Sequence, residues 1–342
     1  MKKILITGGL GYIGSHTSVL FLEKNYEIII IDNLSNSKIN VLESIHSITS
    51  KKPEFFNCDI TNYKKLYYIF EKNNIDCVIH FAALKSVSES VQYPEKYFYN
   101  NIEGIKTLLK CCKKFNVNNF IFSSSCTVYG TPKNLPVNES MPFGKPSSPY
   151  GETKIKSEEI LLKFCEKNKY FKNISLRYFN PVGAHNSNLI GESPKGIPNN
   201  LVPIIVQSCF NKNIKFKVYG NDYNTKDGTA IRDYIHIEDL SKAHIMAYEY
   251  IKNSKNNYEI FNIGTGRGYS VIEVINMFEK ISGKKLNYKF AKRRKGDIKE
   301  IYADTTKANR ILKWKAKFNL KNMLESAWSW ELKTNSNQKA LK

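Results

Sequence analysis

Apolar and polar positions follow two rhythms in the first half of the chain. Short apolar runs rich in Ile, Val and Phe predict strands over residues 3–7, 27–32, 54–57, 77–81, 119–123 and 174–178. Segments with a helical spacing of apolar positions predict helices over 14–23, 63–73, 94–115 and 151–169. Strands alternating with helices of this length predict a parallel sheet covered on both faces, an α/β fold of the Rossmann type, doubly wound. The texture then changes, with Pro181, Pro194, Pro198 and Pro203 and glycines at 183, 191 and 196. Beyond that point the pattern predicts helices over 199–210, 237–253 and 271–281, and strands over 216–218 and 258–263. The expected organisation is a first unit over 1–180, to which parts of 230–265 return, and a smaller C-terminal lobe over 181–332. A polar, flexible tail is expected over 333–342.

Composition removes several function classes without altering this picture. The 342 residues are 42% hydrophobic, which suits a folded body with a sizeable core. A formal charge of +21, from 52 Lys+Arg against 31 Asp+Glu, raises the question of a polyanionic partner. The lysines are scattered in ones and twos, and the densest basic cluster, KRRK at 292–295, is shorter than an interaction tail. No nucleic-acid or membrane partner is therefore expected, although the positive field favours anionic small molecules. The seven cysteines form no Cys-x-x-Cys pair and no zinc spacing, so no metal is expected and the thiols read as reduced. The apolar run at 4–6 is too short for a signal peptide, and no stretch approaches the roughly 18 residues of a membrane span. A cytoplasmic location is the expectation.

The first chemistry lies at the N-terminus. After the strand over 3–7 comes Gly8-Gly9-Leu10-Gly11-Tyr12-Ile13-Gly14, and then a helix. Gly8 permits the tight turn, Gly11 lets backbone N–H groups approach a pyrophosphate, and Gly14 lets the helix pack closely on the strand. Glycine turns precede helices in many folds, so the surroundings carry the argument. A second strand follows and ends at Asp32, where a carboxylate binds ribose hydroxyls and repels a 2′-phosphate; this favours NAD over NADP. Asp59, after the third strand, suits an adenine contact or a helix N-cap equally well.

The second chemistry joins a strand end to the next helix. Ser123-Ser124-Ser125-Cys126-Thr127-Val128-Tyr129-Gly130 closes the fifth strand, and Tyr150-Gly151-Glu152-Thr153-Lys154 opens the helix after it. Tyr150 and Lys154, four apart, share a helical face. A cation there, joined by a positive nicotinamide, is expected to lower the tyrosine pKa and make Tyr150 a general base. Taken alone, Tyr-x-x-x-Lys is better explained by a surface aromatic and a solvated lysine.

Serine cluster, Tyr-x-x-x-Lys and glycine turn together resemble the short-chain dehydrogenase/reductase enzymes. The blocks TGGLGYIGSH, DNLSNS, FAALKSV, SSSCTVYG, PYGETK, RYFNPVGAH, GIPNNLVP, YGNDYNTKDGTAIRDYIHIEDL, FNIGTGRGYSV and RRKGD resemble, over nearly the whole chain, the UDP-glucose (UDP-galactose) 4-epimerase family. The resemblance implies an isomerase in which NAD takes up the hydride of sugar C4 and returns it, interconverting UDP-galactose and UDP-glucose. It implies Ser125, Tyr150 and Lys154 as catalytic residues. It places Gly8, Gly11, Tyr12, Ile13, Gly14, Asp32, Asn33, Asp59, Ile60, Phe81, Ala82, Lys85 and Asn100 toward NAD, together with that trio. Ser125, Thr127, Tyr150, Asn180, Asn200, Leu201, Tyr219, Arg232, Arg294 and Asp297 would hold the UDP-sugar, and Ile301 would set the room beside its 2-substituent. It also implies a homodimer built on helices 94–115 and 151–169.

Two rival readings are weighed against this one. Nucleotide-sugar 4,6-dehydratases and decarboxylases share the fold and the Tyr/Lys pair, but such dehydratases carry Asp-Glu where this chain has Cys126-Thr127. Elimination then lacks a proton relay. A non-catalytic dinucleotide- and RNA-binding module would need neither Ser125, Tyr150 nor Lys154, and the chain lacks a concentrated basic stripe with interleaved aromatics.

Overall fold

The computed structural model describes residues 2–196, 198, 200–211, 214, 216–294 and 296–340. Its main sheet has seven parallel strands. Their order in space is Tyr258–Ile263, Lys172–Tyr178, Asn119–Ser125, Ile75–His80, Lys3–Thr7, Ile28–Asp32 and Glu54–Asn57. The interior strands read as near-continuous apolar runs because both faces are covered. Along Lys3–Thr7, Ile4 and Ile6 enter one core cluster while Leu5 enters the other; Ile28 and Ile30 are divided from Ile29 and Ile31 in the same way. That division is the two-residue period of a strand. Helices Tyr12–Glu23 and Ile237–Asn253 cover the first face, and helices Tyr63–Lys72, Gly104–Lys114 and Pro149–Lys167 cover the second.

A third apolar cluster underlies the smaller lobe. There Ile231–His236 pairs with Gly268–Ser270, Glu300–Ile301 and Asn180–Val182, while Phe216–Tyr219 pairs with Tyr288–Ala291. Helices Leu201–Ser208, Val271–Ser282 and Leu320–Ala340 pack on these strands. The strand order reverses direction between Lys3–Thr7 and Ile75–His80, and ligands of such sheets bind in the crevice outside the carboxyl ends at that point.

Three elements depart from the sequence expectation. The helix expected over 94–115 is Pro94–Phe98, a π turn Tyr99–Glu103, and Gly104–Lys114. The turn carries Asn101 inward, where its side chain bonds Leu84 and Thr153, and a Cβ at Gly104 would lie 2.4 Å from Ile60. The helix expected over 199–210 spans Leu201–Ser208, residue 199 lying outside the described residues. The last helix continues past Lys333 to Ala340, where a flexible tail is expected. Thr334 and Asn335 donate to the carbonyls of Trp330 and Glu331 within it.

Candidate active site

The glycine turn leaves the sheet at the switch point. Helix Tyr12–Glu23 begins from Gly11 with no side chain on its first amides and no acid in its first turn. Its free N–H groups and positive dipole end therefore suit an anion. Gly8 has φ +67°, and a Cβ there would lie 2.8 Å from the Ala82 nitrogen. A Cβ on Gly14 would lie 2.2 Å from the Gly8 carbonyl oxygen, whereas one on Gly11 would meet that oxygen at 3.2 Å. Gly8 and Gly14 are thus fixed by packing within the turn, and Gly11 is the more open position.

Asp32 is buried and accepts hydrogen bonds from Leu10 N (3.1 Å), Leu34 N (2.9 Å) and Ser37 Oγ (2.7 Å). It ties the glycine turn to the second strand. Asn33 donates to Asp59, whose other oxygen accepts from Thr61 N and Oγ1. Burial works to raise the Asp59 pKa, and these hydrogen bonds outweigh it and hold the carboxyl low. The N-cap of helix Tyr63–Lys72 is Asn62, so the cap alternative for Asp59 falls away. Ile60 is buried against Gly104, Ile13 is half-buried, and Tyr12 Oη donates to the Gly183 carbonyl at 2.6 Å. Phe81 packs on the His244 ring at 4.8 Å. An uncapped helix start, glycines where a Cβ would clash and a carboxylate on the second strand fit a dinucleotide.

Ser125, Tyr150 and Lys154 come together at the carboxyl edge. Ser125 ends its strand and accepts from Thr127 N at 3.2 Å. Ser148 caps helix Pro149–Lys167, accepting from Gly151 N, and this cap sets where Tyr150 begins the helix. Lys154 is 4% exposed; its Nζ donates to Ser123 O at 2.6 Å and lies 5.8 Å from the Tyr150 ring centroid. Burial lowers its pKa to about 8, and Glu158 pulls the other way. Without a cofactor the Tyr150 pKa stands above its ordinary value. Burial drives it up to about 12, against a hydrogen bond from Ser125. Desolvation of the phenolate outweighs that hydrogen bond in the protein alone. Thr127 Oγ1 is buried with no hydrogen-bond partner among the described residues.

The remaining expected site residues fall into two groups. Arg232 pairs with Asp297, donates from Nη2 to Ile298 O at 2.8 Å, and bears on Cys126 through its charge. Arg294 reaches Asp297 at 3.4 Å and covers the Tyr219 ring at 5.0 Å. In the other group, Glu192 accepts from both Lys85 (3.3 Å) and Asn200 (2.9 Å). Leu201 begins the helix that follows Asn200, and Asn180 opens a strand beside Tyr234. Asn100 lies half-buried on the π turn, next to the inward-facing Asn101. Ile301 is 1% exposed, packed with Val128, Tyr129, Ile155 and Phe179. It is buried in that apolar cluster and presents almost no surface to solvent.

Sequence reasoning missed Asn101, Glu192 and a buried pair, Glu158 and Arg177. Glu158 carried a signal, since it continues the four-residue spacing of Tyr150 and Lys154. Tyr178 donates to His244 Nε2 while His244 Nδ1 donates to Leu240 O, and burial holds that imidazole neutral with a pKa of about 3.

The sheet order, the glycine turn and the Ser/Tyr/Lys edge define a dinucleotide-dependent enzyme of the short-chain dehydrogenase/reductase class. A family model described as GDP-mannose 4,6 dehydratase matches residues 5–327. The UDP-glucose 4-epimerase of Dictyostelium discoideum is 47% identical over 96% of this chain and 95% of its own length. That of Bacillus subtilis is 47% identical, covering 96% of each. The crystal structure of UDP-glucose 4-epimerase from Bifidobacterium longum in complex with NAD+ and UDP superposes with a TM-score of 0.95 at 44% identity, covering 98% of this chain and 99% of that one. The chain belongs to the UDP-glucose 4-epimerase family.

Proposed function

We propose that this protein interconverts UDP-glucose and UDP-galactose by inverting the configuration at sugar C4, using tightly held NAD. The observation that carries this reading is the meeting of Ser125, Tyr150 and Lys154 at the crevice with Cys126 and Thr127, not carboxylates, on the adjoining turn. Bound NAD supplies a reversible acceptor for the C4 hydride. Tyr150 takes the 4-hydroxyl proton and later returns it, and Ser125 shares that hydrogen bond. Lys154, anchored on Ser123 O, supplies a cation close to the forming phenolate. The Arg232 and Arg294 forks suit the diphosphate, with Tyr219 toward the uracil and Asn180, Asn200, Leu201 and Thr127 along the sugar-nucleotide. Residues 1–180, with parts of 230–265, are assigned to NAD and the rest of 181–332 mainly to the UDP-sugar.

We also infer a homodimer. A groove of about 590 Å³ between Pro94–Lys114 and Pro149–Lys167 is lined by Phe98, Tyr99, Ile102 and Ile160, together with Glu103, Glu159, Lys106, Lys156 and Lys163. Tyr99 is 63% exposed, and acids beside bases allow a two-fold pairing. No helix among the described residues is long and apolar enough to cross a membrane. The cysteines are free and mostly buried, which suits the reducing cytoplasm.

The test is incubation of the purified protein with UDP-galactose and no added NAD, the products followed by NMR. Conversion to UDP-glucose is expected. A product that has lost a hydroxyl, or no conversion with NAD supplied, would overturn the reading.

A further inference from the structure

We propose that Glu158 is a positioning residue for Ser125, Tyr150 and Lys154, acting through Ser124 and Arg177 to lock the strand end and the helix that carry them. This rests on the reading of that trio as catalytic. Glu158 is 0% exposed and Arg177 2%. The guanidinium holds the carboxylate with two bonds, Nε to Oε1 at 3.0 Å and Nη2 to Oε2 at 2.7 Å. The Ser124 hydroxyl donates to the same Oε1. Ser124 and Arg177 are register partners on adjacent strands, so both side chains leave one face of the sheet and meet Glu158 descending from the helix above.

The pair is badly placed to be a mere stabiliser. Desolvating two charges costs about what their attraction returns, and an apolar pair of similar volume commonly serves a core as well. What distinguishes this pair is what it joins. Glu158 lies one turn beyond Lys154 on helix Pro149–Lys167, and Ser124 directly precedes Ser125. The Arg177 guanidinium also lies 4.8 Å from the Tyr129 ring centroid and 5.3 Å from that of Phe143. Tyr129 closes the turn Cys126–Tyr129, which bears Thr127, and donates to Asn262 at 2.7 Å. One buried carboxylate therefore links the elements bearing Ser125, Thr127, Tyr150 and Lys154.

Glu158 also has an electrostatic reach. The ionisable groups facing Lys154 are Tyr150 and Glu158 from its own helix and His80 from the strand Ile75–His80. Burial holds His80 neutral, with a pKa of about 3, leaving Glu158 as the negative charge that favours the ammonium.

The experiment compares Ser124→Ala, Glu158→Gln and the double variant Glu158→Gln/Arg177→Gln with the unaltered holoenzyme. It measures folding by circular dichroism, bound NAD, kcat and KM for UDP-galactose, and the pH profile of kcat. Ser124→Ala leaves the ion pair intact and is expected to lower kcat several-fold with KM nearly constant. Glu158→Gln is expected to lower kcat at least tenfold and to move the alkaline limb of kcat to lower pH, because Lys154 loses its counter-charge. Should Glu158→Gln fail to fold with Arg177 left unpaired, the double variant removes both charges and is expected to show the same limb shift. Folded variants with kcat within twofold of the unaltered enzyme and an unmoved alkaline limb would overturn the proposal. Tyr150→Phe, prepared in parallel, separates the two levels: full activity there sinks the assignment of the trio itself.

Discussion

Substituting the glycines of the N-terminal turn one at a time separates its two jobs. At Gly14 an added Cβ would lie 2.2 Å from the Gly8 oxygen and 2.7 Å from the Gly9 Cα, both backbone atoms that cannot rotate away. Ordinary contact begins near 3.4 Å, so Gly14→Ala must move helix and turn apart by about 1.2 Å. Overpacking of this kind costs about 1–3 kcal/mol, and the amides aimed at the pyrophosphate move with it. The expected outcome is a lower Tm without cofactor and NAD binding weaker by roughly 10- to 100-fold, at about 1.4 kcal/mol per tenfold. At Gly11 the added Cβ would meet only the Gly8 oxygen, at 3.2 Å. A shift of a few tenths of an ångström relieves that contact, so Gly11→Ala should fold with an unaltered Tm and still lose NAD, whose pyrophosphate must approach the same backbone. The assay is thermal unfolding of NAD-stripped protein together with titration of NAD. A Gly14→Ala variant with unchanged Tm and full NAD affinity would refute the packing argument; Gly11→Ala with full affinity would refute the assignment of Gly11 to the pyrophosphate.

Tyr150→Phe should lower kcat by about 10²- to 10⁴-fold, the usual worth of a positioned general base, with the fold retained and KM for UDP-galactose little changed; steady-state kinetics checks it. Burial lowers the Lys154 pKa from 10.5 to about 8, so between those values the unfolded chain holds the extra proton. Stability of the NAD-free protein should therefore rise with pH across that window, by up to ~3 kcal/mol. Denaturant midpoints should show the rise in the unaltered chain and lose it in Lys154→Met. UDP-N-acetylhexosamines should turn over far more slowly than UDP-glucose and UDP-galactose, and equal rates would count against Ile301 as a limit on the pocket. Because Ile301 is 1% exposed, Ile301→Ala should relax that preference and also cost about 2–5 kcal/mol of stability by opening a cavity, read as a fall in Tm.

The main sheet was legible because its interior strands are buried on both faces, so residues 28–31 read as an uninterrupted apolar run and Lys3–Thr7 ends at a glycine turn. The smaller lobe was largely illegible. Gly268–Ser270 and Glu300–Ile301 have three and two residues, too few for any periodicity, and exist because Ile231–His236 offers them an edge. The π turn at Tyr99–Glu103 has no sequence signature, since it depends on Asn101 reaching Leu84 and Thr153 across the fold. In the site, local motifs placed Ser125, Tyr150 and Lys154. Contacts between distant segments escaped, as with Glu192, whose partners Lys85 and Asn200 come from different loops. The sign of the Tyr150 shift in the cofactor-free protein could not be read either, because spacing along a helix reports the neighbouring charge and says nothing of burial.

That sign bears on how the site works. Tyr150, raised to about 12, and Lys154, lowered to about 8, are ordered so that the protein alone would lose the lysine proton first. Bringing Tyr150 from there to neutrality takes about five pKa units, roughly 7 kcal/mol. A single positive charge 4 Å away supplies only about 4 kcal/mol at an effective dielectric constant near 20. Lys154 already stands beside Tyr150 in the protein alone, its Nζ 5.8 Å from the ring centroid, so the cofactor's positive ring would have to close most of this gap while Lys154 keeps its charge. Lys154 must therefore stay protonated in the working enzyme, and its buried surroundings work against this. The negative charge of Glu158, one turn along the same helix, opposes that tendency. If Tyr150 is the base, as proposed, its proton transfer should depend on cofactor occupancy and on the buried Glu158 carboxylate that helps Lys154 keep its charge.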